Sequence, residues 1–176
     1  SEEEDLARVV ERVERDLKRL DDDNKRVLDE SRRRNEELVK RTAEIVERVR
    51  RELERLRREG RVSDEIVERV MREIEKLLRE LERINRETIK RNKRLSEEAS
   101  KINKEVTDRV RELLRDKSER VEEVKRTMEK LLDDVRKANE DSKREIEKSD
   151  DEVRKRNEEV VRDIERLLKE VEERAR

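Results

Sequence analysis

Amide and hydroxyl side chains recur where a helical pattern otherwise places Leu, Val and Ile: Asn24, Ser31, Asn35 and Thr42; Asn85, Thr88, Asn92 and Ser96; Asn139, Ser142 and Ser149. Their chemistry is hydrogen bonding, because each carries donor and acceptor capacity on one short side chain. Proton abstraction or nucleophilic attack would need an activating base, and the chain contains no His, Cys or Tyr. An imidazole base, a thiolate, a phenol acid and soft metal ligands are therefore missing, and no base activates the serines. No catalytic residue, cofactor or metal site is expected, and no enzyme.

The charged motifs give the same answer. Asp21-Asp22-Asp23 and Asp133-Asp134 offer hard oxygen ligands, but a calcium loop wraps its oxygens around a glycine turn and these acids fall mid-helix. Arg32-Arg33-Arg34 and the arginine-rich stretch from Arg48 to Arg58 are interleaved with or flanked by Glu. With no aromatic residue to stack on bases and a pI near 6.0, nucleic-acid binding is not expected. Most glutamates have Lys or Arg three or four residues away, the spacing of helix-supporting ion pairs on a solvated face. A polar cavity for a small ligand is a competing reading of the Asn/Ser/Thr set, but such pockets normally use aromatic and apolar walls.

The elements that must position these residues are helices. Charged residues make up 60% of the chain, 52 basic against 53 acidic, so the net charge is only -1 and self-repulsion is small. The apolar share, 29%, is close to two residues in seven, enough for one narrow buried seam per helix. No apolar run reaches the length of a membrane span and no signal-peptide pattern opens the chain, so a soluble protein, cytoplasmic when expressed, is expected.

The only glycine, Gly60, precedes Ser63 and marks a helix end followed by a new cap. Ser1 and Glu4 have capping-box spacing at the start. A second break is placed at Arg115-Asp116-Lys117-Ser118, with Ser118 as cap, although the apolar phase runs on from Val110 and Leu113 to Val121 and Val124. One helix over 64–176 would leave half its seam uncovered, which favours the turn. The expectation is an all-α, straight up-down-up three-helix bundle in one domain over 1–176, coiled-coil-like, with helices over about 2–59, 64–115 and 119–175, each roughly 85 Å long.

The seam repeats every 18 residues, linking Ile74, Asn92 and Val110 in the second helix and Met128, Ile146 and Ile164 in the third. Eighteen residues are five turns of an uncoiled helix, so almost no supercoil is needed. In helix 1 the core is read as Leu17, Leu20, Asn24, Val27, Ser31, Asn35, Leu38, Thr42, Ile45, Val49, Leu53 and Leu56. Short connections make neighbours antiparallel, with facing residue numbers adding to about 123 for helices 1 and 2 and about 234 for helices 2 and 3. Ser31, Asn92 and Ser142 then share one level. Asn24, Ser96 and Asn139 form a second, and Asn35, Thr88 (or Asn85) and Ser149 a third. Asn103 and Asn157 share the phase without a partner at their height and are expected at the solvated seam edge. An unpaired buried amide or hydroxyl costs about 1–3 kcal/mol, so stacked polar layers penalise a slipped register.

Near-equal helices without proline, one glycine in a short turn, serine caps, Glu/Arg/Lys surfaces and Asn/Ser/Thr layers within a Val/Leu/Ile seam resemble computationally designed helical bundles with buried hydrogen-bond networks. The resemblance is one of style and spans the whole chain. It implies a scaffold whose networks specify register and assembly, with no natural biochemical function. Many such bundles assemble from shorter hairpins, which keeps a second reading open: an interaction module completed by a copy of itself or by a designed partner helix. A natural coiled-coil spacer is third, since spectrin-like repeats usually carry core aromatics. As a monomer the chain would require no partner.

With no His, no side chain titrates in the near-neutral range unless strongly perturbed. Thermal melts followed by circular dichroism should superimpose between about pH 7 and 5.5; a folding transition inside that window would contradict this.

Overall fold

The computed structural model describes residues 1–116 and 120–175. Three α-helices occupy almost all of them: α1 (Glu2–Arg58), α2 (Asp64–Arg115) and α3 (Val121–Arg174), of 57, 52 and 54 residues. The chain is an all-α three-helix bundle, with no strand among the described residues. Helix α2 does end at Arg115, separate from α3, so the long uninterrupted alternative is excluded. The proposed cap at Ser118 lies outside the described residues, as does Lys117. The first α3 turn uses the Arg120 carbonyl, which accepts the Val124 amide at 3.0 Å.

The helix ends follow from their local sequence. Ser1 Oγ accepts the Glu4 amide and Ser63 Oγ the Ile66 amide, both at 3.3 Å, each hydroxyl satisfying a donor that the first turn leaves open. At the other end of α1, Gly60 takes a φ of +69°. The Arg61 amide reaches back to the Leu56 carbonyl and the Gly60 amide to that of Arg57, each at 3.0 Å. This paired closure needs a left-handed residue after the helix, a conformation that costs L-residues with a Cβ and leaves glycine unstrained. Acids in each first turn and arginines in each last turn suit the helix dipole.

The helices' mutual contacts fall into two compact units. Unit 1 comprises Ser1–Ser31 and Arg91–Lys148, and unit 2 comprises Arg32–Lys90 and Ser149–Arg176. Each unit holds one segment of every helix around its own apolar cluster. In unit 1, Val13, Leu17, Val110, Leu113, Val124, Met128, Leu132 and Val135 pack together. In unit 2 the corresponding cluster includes Val46, Leu53, Leu56, Val67, Ile74, Val160, Ile164 and Val171. Val46 is buried and Ile45 only half-buried, a one-residue rotation from the expected face.

The 18-residue repeat is visible in burial. Ile74, Asn92 and Val110 are all buried on α2, and Met128, Ile146 and Ile164 on α3. Small and large side chains share one phase because the same strip of each helix meets its neighbours five turns later. Among the described residues, no helix is long and apolar enough to cross a membrane.

An added Cβ at Gly60 would meet nothing within 4 Å, so substitution there tests backbone strain alone. Gly60→Ala should cost about 1 kcal/mol and Gly60→Asn less, because Asn tolerates the left-handed region better. Leu53→Ala, at a fully buried position of the unit 2 cluster, should cost about 2–5 kcal/mol in denaturant unfolding. Equal, negligible losses at both sites would contradict this account of the turn and the core.

Candidate functional site

The Asn/Ser/Thr set lies inside the bundle: Asn24, Ser31, Asn35, Thr42, Asn85, Asn92, Ser96, Ser142 and Ser149 are buried, and so is Asn139's partner Asn103. Thr88 and Asn139 are half-buried at the seam edge. The helices carry these side chains inward for the reason they carry Val and Leu inward elsewhere: the phase of the repeat points there.

In unit 1, Asn92 on α2 donates through Nδ2 to Ser31 Oγ on α1 at 3.1 Å, and each residue is 1% exposed. Ser142 on α3 also faces α2, but its hydroxyl donates to the Leu95 carbonyl at 3.3 Å and not to the Asn92 amide. Asn24 donates to the Ser96 carbonyl at 2.8 Å and to Ser100 Oγ at 3.1 Å. Ser100 passes its own proton back to Asp21 Oδ1 at 3.0 Å, closing a path from α1 to α2 and back. Asn103 and Asn139 form a reciprocal amide pair between α2 and α3, with Nδ2–Oδ1 distances of 2.6 and 3.3 Å, and Asn139 also donates to the Val135 carbonyl.

In unit 2, Asn35 Nδ2 donates to Asp150 Oδ1 at 2.9 Å, and Arg34 holds the other oxygen of that carboxylate at 3.0 Å. The Thr42 hydroxyl lies 2.6 Å from Asn157 Oδ1 on α3 and 3.1 Å from the Leu38 carbonyl one turn back, and its single proton serves one at a time. Outside the seam, Arg50 bonds Glu75 at 2.7 Å and Arg156 bonds Glu80 at 2.9 Å, linking α2 to its two neighbours.

Two expectations are corrected here. Asn103 and Asn157 are not at a solvated edge: they are 4% and 7% exposed and both are paired. The three-residue levels also do not close as directly hydrogen-bonded triples. Asn139 leaves Asn24 and Ser96 for Asn103, and Asn35 takes Asp150. The reason is geometric. Cβ atoms lean toward each helix N-terminus, so in the antiparallel pair of α2 and α3 the side chains of Asn103 and Asn139 lean toward one another across an offset that backbone levels alone would forbid. In unit 2, residues of parallel α1 and α3 meet 115 positions apart, one residue beyond the interval from Asn35 to Ser149, so Asn35 meets the adjacent Asp150 instead. The polar side chains therefore join mostly in helix-to-helix pairs.

Ser100, Asp21, Asp150, Asn103 and Asn157 belong to the seam and were not placed in it from sequence. Ser100 sits four residues after Ser96 and Asp21 three before Asn24, the spacing that puts them on the same face, which was the available signal. Asp150 adjoins Ser149, and its side chain is only 11% exposed.

The electrostatics outside the seam are those of a solvated surface. The hydrogen bond to Glu75 raises Arg50 above the usual guanidinium range, and Glu159 and Glu80 do so for Arg156. Arginine is charged throughout the accessible range, so neither shift makes folding pH-dependent. The Arg55 hydrogen bond holds the Glu52 carboxyl below its ordinary value. A depressed acid contributes stability above the ordinary carboxylate range and loses it as pH falls through the lowered value, well below neutrality. Among the described residues, no group of three or more Asp and Glu side chains is arranged to hold a metal ion. A groove of about 640 Å³ between α1 and α2 of unit 1 is lined by charged residues such as Lys18, Lys104 and Arg111 and, deeper, by Leu17 and the seam residues Asp21, Ser100 and Asn103.

No protein-family profile, curated protein sequence or solved structure matches this chain.

The Thr42–Asn157 pair gives a direct energetic test. Thr42→Val keeps the side-chain shape and removes the hydroxyl, which should cost about 1–3 kcal/mol by leaving a buried amide without its partner. Asn157→Leu should cost a similar amount alone. Made together, the two should cost at least about 1 kcal/mol less than the sum of the singles, a coupling read from denaturant unfolding of all four chains. Strict additivity would show that the pair contributes nothing.

Proposed function

We propose that this chain is a structural scaffold of designed origin, non-catalytic and free of cofactors, in which buried polar contacts fix how the three helices align. The observation that carries the reading is that many of the seam's amides and hydroxyls bond to a neighbouring helix, although Asn85 Oδ1 and Ser149 Oγ do not. Asn92 bonds Ser31, Asn24 bonds Ser96 and Ser100, Asn103 bonds Asn139, and Thr42 meets Asn157. Groups spent on one another are not arranged around a substrate. Their placement inside an otherwise apolar seam supports specification: pairing them adds little net stability, while leaving them unpaired in a slipped alignment is costly.

Designed origin is supported by the regularity of the chain, whose 18-residue repeat recurs through helices of nearly equal length with its one glycine placed where a turn uses it. The alternative, an interaction module completed by further chains, draws support from two large apolar side chains at the surface of unit 1, Ile102 at 38% and Leu114 at 36% exposure.

Light scattering separates the two. A mass near 21.6 kDa at every concentration supports the self-contained scaffold, and a concentration-dependent multiple of it supports the module. For the polar seam, replacing Ser31, Asn92 and Ser142 by Ala, Leu and Val should keep or raise the melting temperature while permitting alternative alignments or assemblies. A large fall in melting temperature with one unchanged fold would contradict the proposal.

A further inference from the structure

Beyond the pairing already described, the geometry points to a binding site for one ordered water molecule inside unit 2, held by Asn35, Asn85 and Ser149. Three buried side-chain atoms of this unit have no hydrogen-bond partner among the described residues: Asn35 Oδ1, Asn85 Oδ1 and Ser149 Oγ. Their residues are 1%, 8% and 3% exposed, so bulk water does not serve them.

The register brings the three to one level. Asn35 bonds Asp150, the chain neighbour of Ser149. Arg156 bonds Glu80, and because α2 and α3 run antiparallel, Asn85 stands at about the level of residue 151. All three therefore lie within about one helical turn along the seam, each on a different helix.

Their chemistry defines the ligand. Two amide oxygens accept, and the serine hydroxyl donates. A water molecule supplies the complement, donating one proton to each amide oxygen and accepting the serine proton, which makes the three bonds typical of an internal water. Room is available because the seam narrows in side-chain size here. Eighteen residues either side of Ser149 the phase carries Leu131 and Leu167, and the same interval from Asn35 reaches Leu17 and Leu53. A serine in place of leucine frees space on the order of the ~30 Å³ that one water occupies in the liquid. A monovalent cation would also meet oxygens, but Asp150, the carboxylate in contact with Asn35, already carries Arg34, so the ion's charge would be buried without compensation.

Two measurements on the intact chain test the site. In an atomic-resolution crystal structure, one water should lie within hydrogen-bonding distance of Asn35 Oδ1, Asn85 Oδ1 and Ser149 Oγ. A dry node would overturn the site, as would a Ser149 hydroxyl turned back onto the Glu145 carbonyl or either amide turned out to solvent. The second measurement is the folding equilibrium of Ser149→Ala, corrected for helix propensity by comparing Lys148→Ala with Lys148→Ser at the exposed neighbouring position. A hydroxyl that bonds a held water should lose about fivefold in the folding equilibrium constant on removal. A hydroxyl with no partner should instead give a gain, and a gain would overturn the proposal.

Discussion

A buried amide that meets no partner is costlier than a buried methyl group that meets a slightly wrong one, and the organisation of this chain depends on that asymmetry. Val and Leu seams tolerate sliding because dispersion and burial are nearly direction-free. An Asn Nδ2 aimed at a Ser Oγ is not tolerant: displacement of one turn breaks the bond and leaves two dry polar groups. Asn92 on Ser31, Asn103 on Asn139 and Thr42 with Asn157 are therefore constraints on alignment more than sources of stability. In the reading proposed above, the apolar clusters of each unit supply the stability and the polar contacts select among similar packings.

The surface plays a lesser part. Pairs such as Arg26–Asp23 and Arg154–Glu158 are exposed i,i+3 and i,i+4 neighbours within one helix, worth little individually in water. Bridges between helices, Arg50–Glu75 and Arg156–Glu80, are better placed but still partly solvated. Their near-perfect balance of sign keeps the net charge at -1, so long helices rich in charge can lie side by side without net repulsion. Because the surface is populated by long Arg, Lys and Glu side chains, the helices need only a narrow apolar strip, which is why so low an apolar fraction is sufficient.

Helix ends and the buried face were legible in the sequence because they depend on local rules. Among the described residues Gly60 is the one that takes a positive φ, and Ser1 and Ser63 are hydroxyls three residues ahead of an amide they can accept. The periodic phase predicted the burial of Asn24, Ser31, Asn92 and Ser149 for the same reason, since a helix fixes which residues share a face. Partner identity was less legible. It depends on the axial offset between helices and on the lean of each side chain, and both are set by tertiary packing. A difference of one residue was enough to give Asn35 to Asp150 in place of Ser149, and the same spacing gives Thr42 to Asn157. Charged members such as Asp21 and Asp150 were hidden among many solvated acids of identical type.

The central claim, that polar pairing selects one alignment, is tested most directly by measuring that alignment. Spin labels at the exposed positions Lys40 on α1 and Lys155 on α3, both in unit 2, report the axial offset through their separation in pulsed electron resonance. The native seam should give one narrow distance. A chain with Asn35, Thr42, Asn85, Thr88, Ser149 and Asn157 all replaced by Leu or Val should give a broadened or multiple distribution, with alternative alignments offset by about one turn, 5.4 Å along the axis. A single, unshifted distance in the apolar chain would show that the polar contacts do not choose the register.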